Sequence, residues 1–201
     1  MTRVVLCRHG EPEAAASGRF CGALDVGLSP RGEAEARALS AVDADVLYTS
    51  PARRCIETAR PVASRLAVEP IVEPRLRELE FGELDGVPYD QAAERWPKFY
   101  DEWLRTPTAV RFPGGEGYAE LQARACEALA EIVRRHDGAT AAVITHAGVI
   151  RALLADVLSL PDEALFRVDQ RYGAVNVFEW LEGTAVVRLV NGSPASLAPA
   201  G

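Results

Sequence analysis

The chain has 201 residues, enough for one α/β domain with a sizeable buried core. Its 48% hydrophobic and 25% charged residues are ordinary for a globular protein. A net charge of −7 argues against a general role on nucleic acid or on membrane surfaces, so neither is expected as a partner.

The segment Arg3-Val4-Val5-Leu6-Cys7 predicts a buried strand that delivers Arg8-His9-Gly10 to its carboxyl end. Ser29-Pro30 predicts a helix with a cap and an N1 proline, and Ala34, Ala38, Leu39 and Val42 supply its apolar stripe. Asp45-Val46-Leu47-Tyr48-Thr49 is a second strand. Ser50-Pro51 should open the next helix as Ser29-Pro30 opens the first, with Ile56, Ala59, Val62, Ala63 and Leu66 facing inward. A third strand is expected near Glu69–Val72.

From Pro74 to about Gly115 the chain carries Pro88, Pro97, Pro107 and Pro113, and short helices over a pocket are expected there. A long helix is predicted from Glu116 to about Arg135, buried through Leu121, Ala125, Leu129, Ile132 and Val133. His136 ends it as a favourable C-terminal charge. Ala141–Thr145 is a further buried strand, leading into His146-Ala147-Gly148, and Val149–Leu158 a helix. Tyr172–Trp180 and Thr184–Val190 read as two closing strands joined at Glu182-Gly183, and the Ala/Pro/Ser-rich tail 193–201 as loose. Alternating strands and helices without linker or repeat predict a single domain over 1–201. Its fold class is α/β: a three-layer α/β/α sandwich with a mostly parallel central sheet and a helical lid insertion at about 83–115.

Two of the three histidines thus follow buried strands, and a third strand runs into Ser50-Pro51-Ala52-Arg53-Arg54. Strands of a doubly wound sheet end on one edge, so the three motifs should converge. Two imidazoles with Arg8 and Arg54 would make a pocket for a dianionic group, best a phosphate. Glycine at Gly10 and Gly148 lets the backbone approach a ligand closely.

These residues resemble the histidine phosphatase superfamily, the phosphoglycerate-mutase-like enzymes. The resemblance begins at Arg8-His9-Gly10-Glu11 and runs through Arg19-Phe20-Cys21-Gly22-Ala23-Leu24-Asp25, Leu28-Ser29 and Gly32. It continues in Ser50–Ala59, Leu76-Arg77-Glu78, Phe81-Gly82, Pro113-Gly114-Gly115-Glu116 and His146–Arg151, in the family's order. It implies a phosphomonoester hydrolase in which His9 attacks phosphorus, while Arg8, Arg54 and His146 hold the phosphoryl oxygens. Glu78 matches the family's acid/base position, four residues before Gly82, with Glu80 and Glu83 as nearby competitors. Cys21 falls in the loop that lines the family's pocket, and Gly22, Ala147 and Gly148 are its further expected substrate contacts. Cys7, Cys55 and Cys126 read as small core residues. The compact size resembles the α-ribazole phosphatase type and its broad-specificity relatives.

Other phosphate chemistries lack their motifs here. There is no Walker loop and no Gly-x-Gly-x-x-Gly after a strand; no cysteine precedes an arginine at the phosphate-cradle spacing, and Glu83 stands where the Asp85-Gly86 loop would need a nucleophilic Asp. No His/Asp/Glu cluster has metal spacing, so neither metal nor cofactor is expected. The phosphoglycerate mutases carry Trp and Asn where this chain has Ala14 and Ala15, and an Arg pair in a longer lid without equivalent between Gly82 and Gly114. Phosphatase is therefore preferred over mutase-type phosphotransfer and over a non-catalytic phosphate-binding module on the same fold. The partner expected is a small phosphorylated substrate; an exposed final strand would permit a homodimer. No bilayer-spanning stretch and no signal-peptide profile are seen, which makes cytoplasmic the expected location. The lid aromatics Tyr89, Trp96, Phe99, Tyr100 and Trp103 suit a satellite core as well as a leaving-group contact.

Overall fold

A computed structural model describes residues 1–13 and 18–197 of the chain. Ala14 and Ala15, on which part of the contrast with the mutases rests, and tail residues 198–201 lie outside the described residues. The elements are β1 (Thr2–Arg8), α1 (Pro30–Leu39), β2 (Val46–Thr49), α2 (Arg53–Leu66) and β3 (Ile71–Val72). They continue with α3 (Tyr89–Arg95), α4 (Pro97–Arg105), α5 (Tyr118–Arg135), β4 (Thr140–Thr145), α6 (Ala147–Leu158), β5 (Val175–Leu181) and β6 (Thr184–Gly192).

The strands form one sheet in the order β3-β2-β4-β1-β5-β6. β3, β2, β4 and β1 pair in parallel, while β5 runs antiparallel to β1 and to β6. Both faces of β1 are covered, and its alternation divides the core: Val4 and Leu6 enter one cluster, Val5 and Cys7 the other. β4 divides in the same way, Ala141 and Val143 against Ala142 and Ile144. Leu39 and Val42 at the end of α1 and Cys55, Ala59 and Val62 of α2 close one face; Leu121 and Ala125 of α5 with Val149, Ile150 and Leu153 of α6 close the other. The result is the expected α/β/α sandwich.

Several local expectations change. α1 is capped by Ser29, whose hydroxyl accepts the Gly32 amide, but its buried stripe is Gly32, Ala36 and Leu39 rather than Ala34 and Ala38, which are exposed. The reason is close approach: a Cβ on Gly32 would lie 2.0 Å from the Glu11 carbonyl oxygen. α2 begins at Arg53 with Ala52 as an N-cap that makes no side-chain bond, so Ser50-Pro51 does not repeat the α1 start. α5 begins at Tyr118, which leaves Glu116 outside the helix and buried. His136 caps α5 through its backbone, and its Nε2 meets the Tyr48 hydroxyl at 2.9 Å. The segment expected as a loose tail opens with a 3-10 turn, Pro194–Leu197, and Leu197 packs against the cluster under α1 and α2.

Candidate active site

β1, β2 and β4 end in register, with Arg8 opposite Thr145 and Thr49 opposite Ile144. The ladder continues one step past the strands: the His9 amide bonds the Thr145 carbonyl and the Ser50 amide the Ile144 carbonyl, each at 2.9 Å. His9, Ser50 and His146 therefore leave the sheet together. The cavity at this edge has a volume of about 400 Å³. Arg8, His9, Cys21, Arg54, Glu78, Ala147 and Gly148 all line it. Gly22 stands behind, giving its carbonyl to Arg54.

His9 is buried, and its Nδ1 lies 2.7 Å from the Gly10 carbonyl oxygen. A carbonyl only accepts, so Nδ1 carries the proton and Nε2 keeps its lone pair. Burial, then Arg54 and Arg8, hold this imidazole well below its ordinary titration range. Gly10 is required here because a Cβ would meet the Gly32 carbonyl oxygen at 2.3 Å. The Gly10 amide in turn donates to Thr58 Oγ1 at 3.0 Å.

Arg54 is 1% exposed, and among the described residues no carboxylate pairs with it. Its Nη atoms donate instead to the carbonyls of Leu24, Cys21 and Gly22 at 3.0 to 3.1 Å. Asp85 orders the same loop by accepting the amides of Gly22 and Ala23 at 2.6 and 3.0 Å. Arg8 is held by the Gln170 carbonyl, and its guanidinium carbon stacks 3.7 Å over the Tyr172 ring. A third cation, Arg151, lines the same cavity and donates its Nε to the Val168 carbonyl at 2.8 Å.

His146 occupies a different place from the one its motif suggests. It is fully buried and lies behind the cavity wall, its ring 5.1 Å edge-on from that of His9. Arg54 Nη2 donates to its Nδ1 at 3.3 Å, which leaves the proton on Nε2 to donate to Ser50 Oγ at 2.7 Å. Burial, with Arg54 next, holds this ring also well below its ordinary range. Both of its nitrogens are thus engaged with protein. Arg54, which can only donate, thus fixes its tautomer, and Ser50, read from sequence as a helix cap, is the group that accepts its Nε2 proton.

Glu78 lines the cavity, whereas neither Glu80 nor Glu83 does. Its Oε2 accepts the Gly148 amide in the first turn of α6 at 3.2 Å, and Oε1 accepts the Leu79 amide at 3.0 Å. A Cβ on Gly148 would come within 2.2 Å of Oε1. Glu80 is instead half-exposed and paired with Arg77.

The far wall is aromatic. Phe20, Phe81, Tyr89, Trp103, Tyr118 and Phe166 line it, so two of the five lid aromatics reach the cavity. Trp96, Phe99 and Tyr100 pack on the core beneath. Arg95 stacks on Trp96, Arg105 pairs with Asp101 at the surface, and neither lines the cavity. Cys7 and Cys55 are core residues whose thiols burial pushes up to about 12; half-buried Cys126 is pushed up to about 12 as well. Tyr172, Gln170 and Asp85 were not legible as site residues, because each meets the site across tens of residues of chain with no spacing motif, and Thr58 lay inside the Ser50–Ala59 motif with nothing to mark its hydroxyl as the acceptor of the Gly10 amide. Among the described residues no cluster of three or more His, Cys, Asp or Glu could hold a metal, and no helix is long and apolar enough to cross a membrane.

The profile of the histidine phosphatase superfamily, branch 1, matches residues 4–193. The chain is 34% identical to Phosphoserine phosphatase 1 of Hydrogenobacter thermophilus, over 80% of this chain and 78% of that one. It is 32% identical to the Metal-independent phosphoserine phosphatase of Arabidopsis thaliana, over 76% and 67% of the two chains. It also matches longer mycobacterial relatives, spanning about half of them (54%). Among solved structures, Bacillus stearothermophilus YhfR superposes with a TM-score of 0.89 at 31% identity, covering 96% of this chain and 98% of that one.

Proposed function

As a member of the histidine phosphatase superfamily, branch 1, this chain is a metal-independent phosphatase, and we propose that it hydrolyses a small phosphorylated metabolite through a phosphohistidine on His9. The observation that carries this reading is the pairing of a neutral, tautomer-fixed imidazole with a buried guanidinium, Arg54, and a half-buried one, Arg8, neither paired with a carboxylate among the described residues. Cations buried without counter-charges favour a dianion, and a phosphoryl group in transfer spreads its charge over three oxygens.

In the first half-reaction the Nε2 lone pair of His9 forms the N–P bond as the P–O ester bond breaks. Glu78 gives its proton to the departing oxygen, and an alcohol leaves. In the second, water attacks phosphorus, Glu78 takes the proton from it, and the N–P bond breaks to release orthophosphate and the neutral imidazole. Arg8 and Arg54 stabilise the charge on phosphorus in both steps. His146 holds Arg54 and the edge of the His9 ring, so it organises the pocket from behind. The aromatic wall of Tyr89, Trp103 and Phe166 would receive the alcohol portion.

Rapid quench with a labelled aryl phosphate tests this. Wild type should trap an acid-labile, base-stable label on His9, His9→Ala should show neither label nor turnover, and activity should survive exhaustive chelation with EDTA. A label on a carboxylate or a thiol, or activity that EDTA removes and one ion restores, would overturn the reading.

A further inference from the structure

The segment 75–78 that presents Glu78 has no ladder or regular helix of its own, apart from the single 3-10 turn Pro74–Leu76. Yet four consecutive backbone carbonyls in it are each held by a side chain. Arg124 Nη1 donates to the carbonyls of Arg75 and Arg77 at 2.6 and 2.7 Å, and Nη2 to that of Glu78 at 3.0 Å. Thr145 Oγ1, at the end of β4, donates to the carbonyl of Leu76 at 2.8 Å. The remaining donors of Arg124 go to Glu116: Nε to Oε1 at 3.0 Å and Nη2 to Oε2 at 3.1 Å. All five N–H groups of this guanidinium are therefore used, three of them on the backbone that carries one carboxylate.

The surroundings make the arrangement stiff. The Arg124 side chain is 12% exposed and that of Glu116 6%. Glu116 also receives Arg77 Nη2 at 3.1 Å, and its amide donates to the Glu80 carbonyl at 2.9 Å. A planar fork can hold three carbonyls at fixed angles, where an ammonium on a flexible stem cannot. Beyond the clamp, the Glu78 carboxylate is seated against Gly148 with no room for a Cβ. Movement of the Glu78 backbone by a fraction of an ångström would lift the carboxyl from that seat.

We propose that Arg124, which lies outside the cavity lining, is the positioning residue that aims Glu78 at the leaving-group oxygen. This rests on the reading of Glu78 as the proton donor. Arg124 does not line the cavity, and its hydrogen-bonded route to the site is the backbone that carries Glu78.

The signature is selective. A misaimed acid hurts substrates whose leaving group needs the proton, an alkyl phosphate, and spares nitrophenyl phosphate, which leaves as a weakly basic phenolate. In single turnovers Glu78→Gln should lower the alkyl rate by roughly 10²- to 10³-fold and the nitrophenyl rate by less than about 10-fold. Arg124→Lys should show the same pattern at smaller size, roughly 10- to 100-fold against less than about 3-fold, with the inhibition constant of orthophosphate within about 2-fold of wild type. Placed in the Glu78→Gln background, Arg124→Lys should remove little more. Thr145→Val, which frees only the Leu76 carbonyl, should give a weaker copy of the pattern and serves if Arg124→Lys does not fold. Equal losses for both leaving groups in Arg124→Lys, or in Thr145→Val where that variant stands in for it, would overturn the proposal. So would weakened orthophosphate binding, or full additivity with Glu78→Gln. A Glu78→Gln variant without leaving-group selectivity would instead remove the reading of Glu78, and the proposal with it.

Discussion

The two ends of the cavity are built in opposite ways. At the end proposed to hold the phosphate, His9, Arg54 and His146 are held by backbone carbonyls, by Ser50 and by strands that stop in register. At the other end α3 and α4 bury one side chain between them, Ala92, and the wall stands on ring packing around two phenylalanines. Phe20 meets Phe81, Tyr89 and Trp103 at centroid distances of 4.8 to 5.3 Å, and Phe112 meets Phe99 and Trp103 at 5.0 and 5.8 Å. Ring packing is non-directional compared with a hydrogen-bonded ladder and accepts substitutions of similar volume. Chemistry fixed by strand ends is thus joined to a proposed leaving-group wall that rests on ring packing and on a few loop hydrogen bonds, such as the Phe20 amide to the Val87 carbonyl at 3.1 Å.

The comparison breaks most visibly at Arg54. Arg54→Met should lower kcat by roughly 10²- to 10³-fold for every leaving group alike, because it removes charge from the phosphoryl group itself. A loss confined to bulky substrates would show that Arg54 belongs to the other end. Trp103→Ala sharpens the contrast: kcat/KM for naphthyl phosphate should fall roughly 10- to 100-fold while that for glycerol phosphate changes less than about 3-fold. Equal losses would mean that the wall supports the phosphate end after all.

A further effect is on stability. The folded state keeps His9 and His146 neutral well below the ordinary value of 6.5, whereas the unfolded chain takes up protons there. Unfolding therefore binds protons as pH falls, and stability that is complete above pH 6.5 is lost below it, at up to about 1.4 kcal/mol per pH unit for each ring. Urea midpoints between pH 7.5 and 5 should show this slope, and His146→Gln should reduce it. A slope unchanged by that variant would mean that other groups carry it.

Sequence alone determined much of this protein. Alternating Val4-Val5-Leu6-Cys7 and Ala141–Ile144 specify strands buried on both faces, because the side-chain period of two sends neighbours to opposite layers. The strand-end motifs with Arg8, His9, Arg54 and His146 followed from that, whereas Glu78 was singled out only by the family resemblance, which places an acid/base four residues before Gly82. Only the tertiary structure decided which nitrogen of His9 is free, that Ser50 serves His146 rather than α2, and that His146 stands behind the cavity. It likewise separated Tyr89 and Trp103 from Trp96, Phe99 and Tyr100, all of which suited a satellite core and a leaving-group contact equally in sequence. The physical reason is the range of the contacts. Periodicity reports which face of an element is apolar, whereas Arg124 on the Glu78 carbonyl and Thr145 on the Leu76 carbonyl join side chains to backbone 46 and 69 residues away. No local pattern encodes a bond to a carbonyl, since every residue has one.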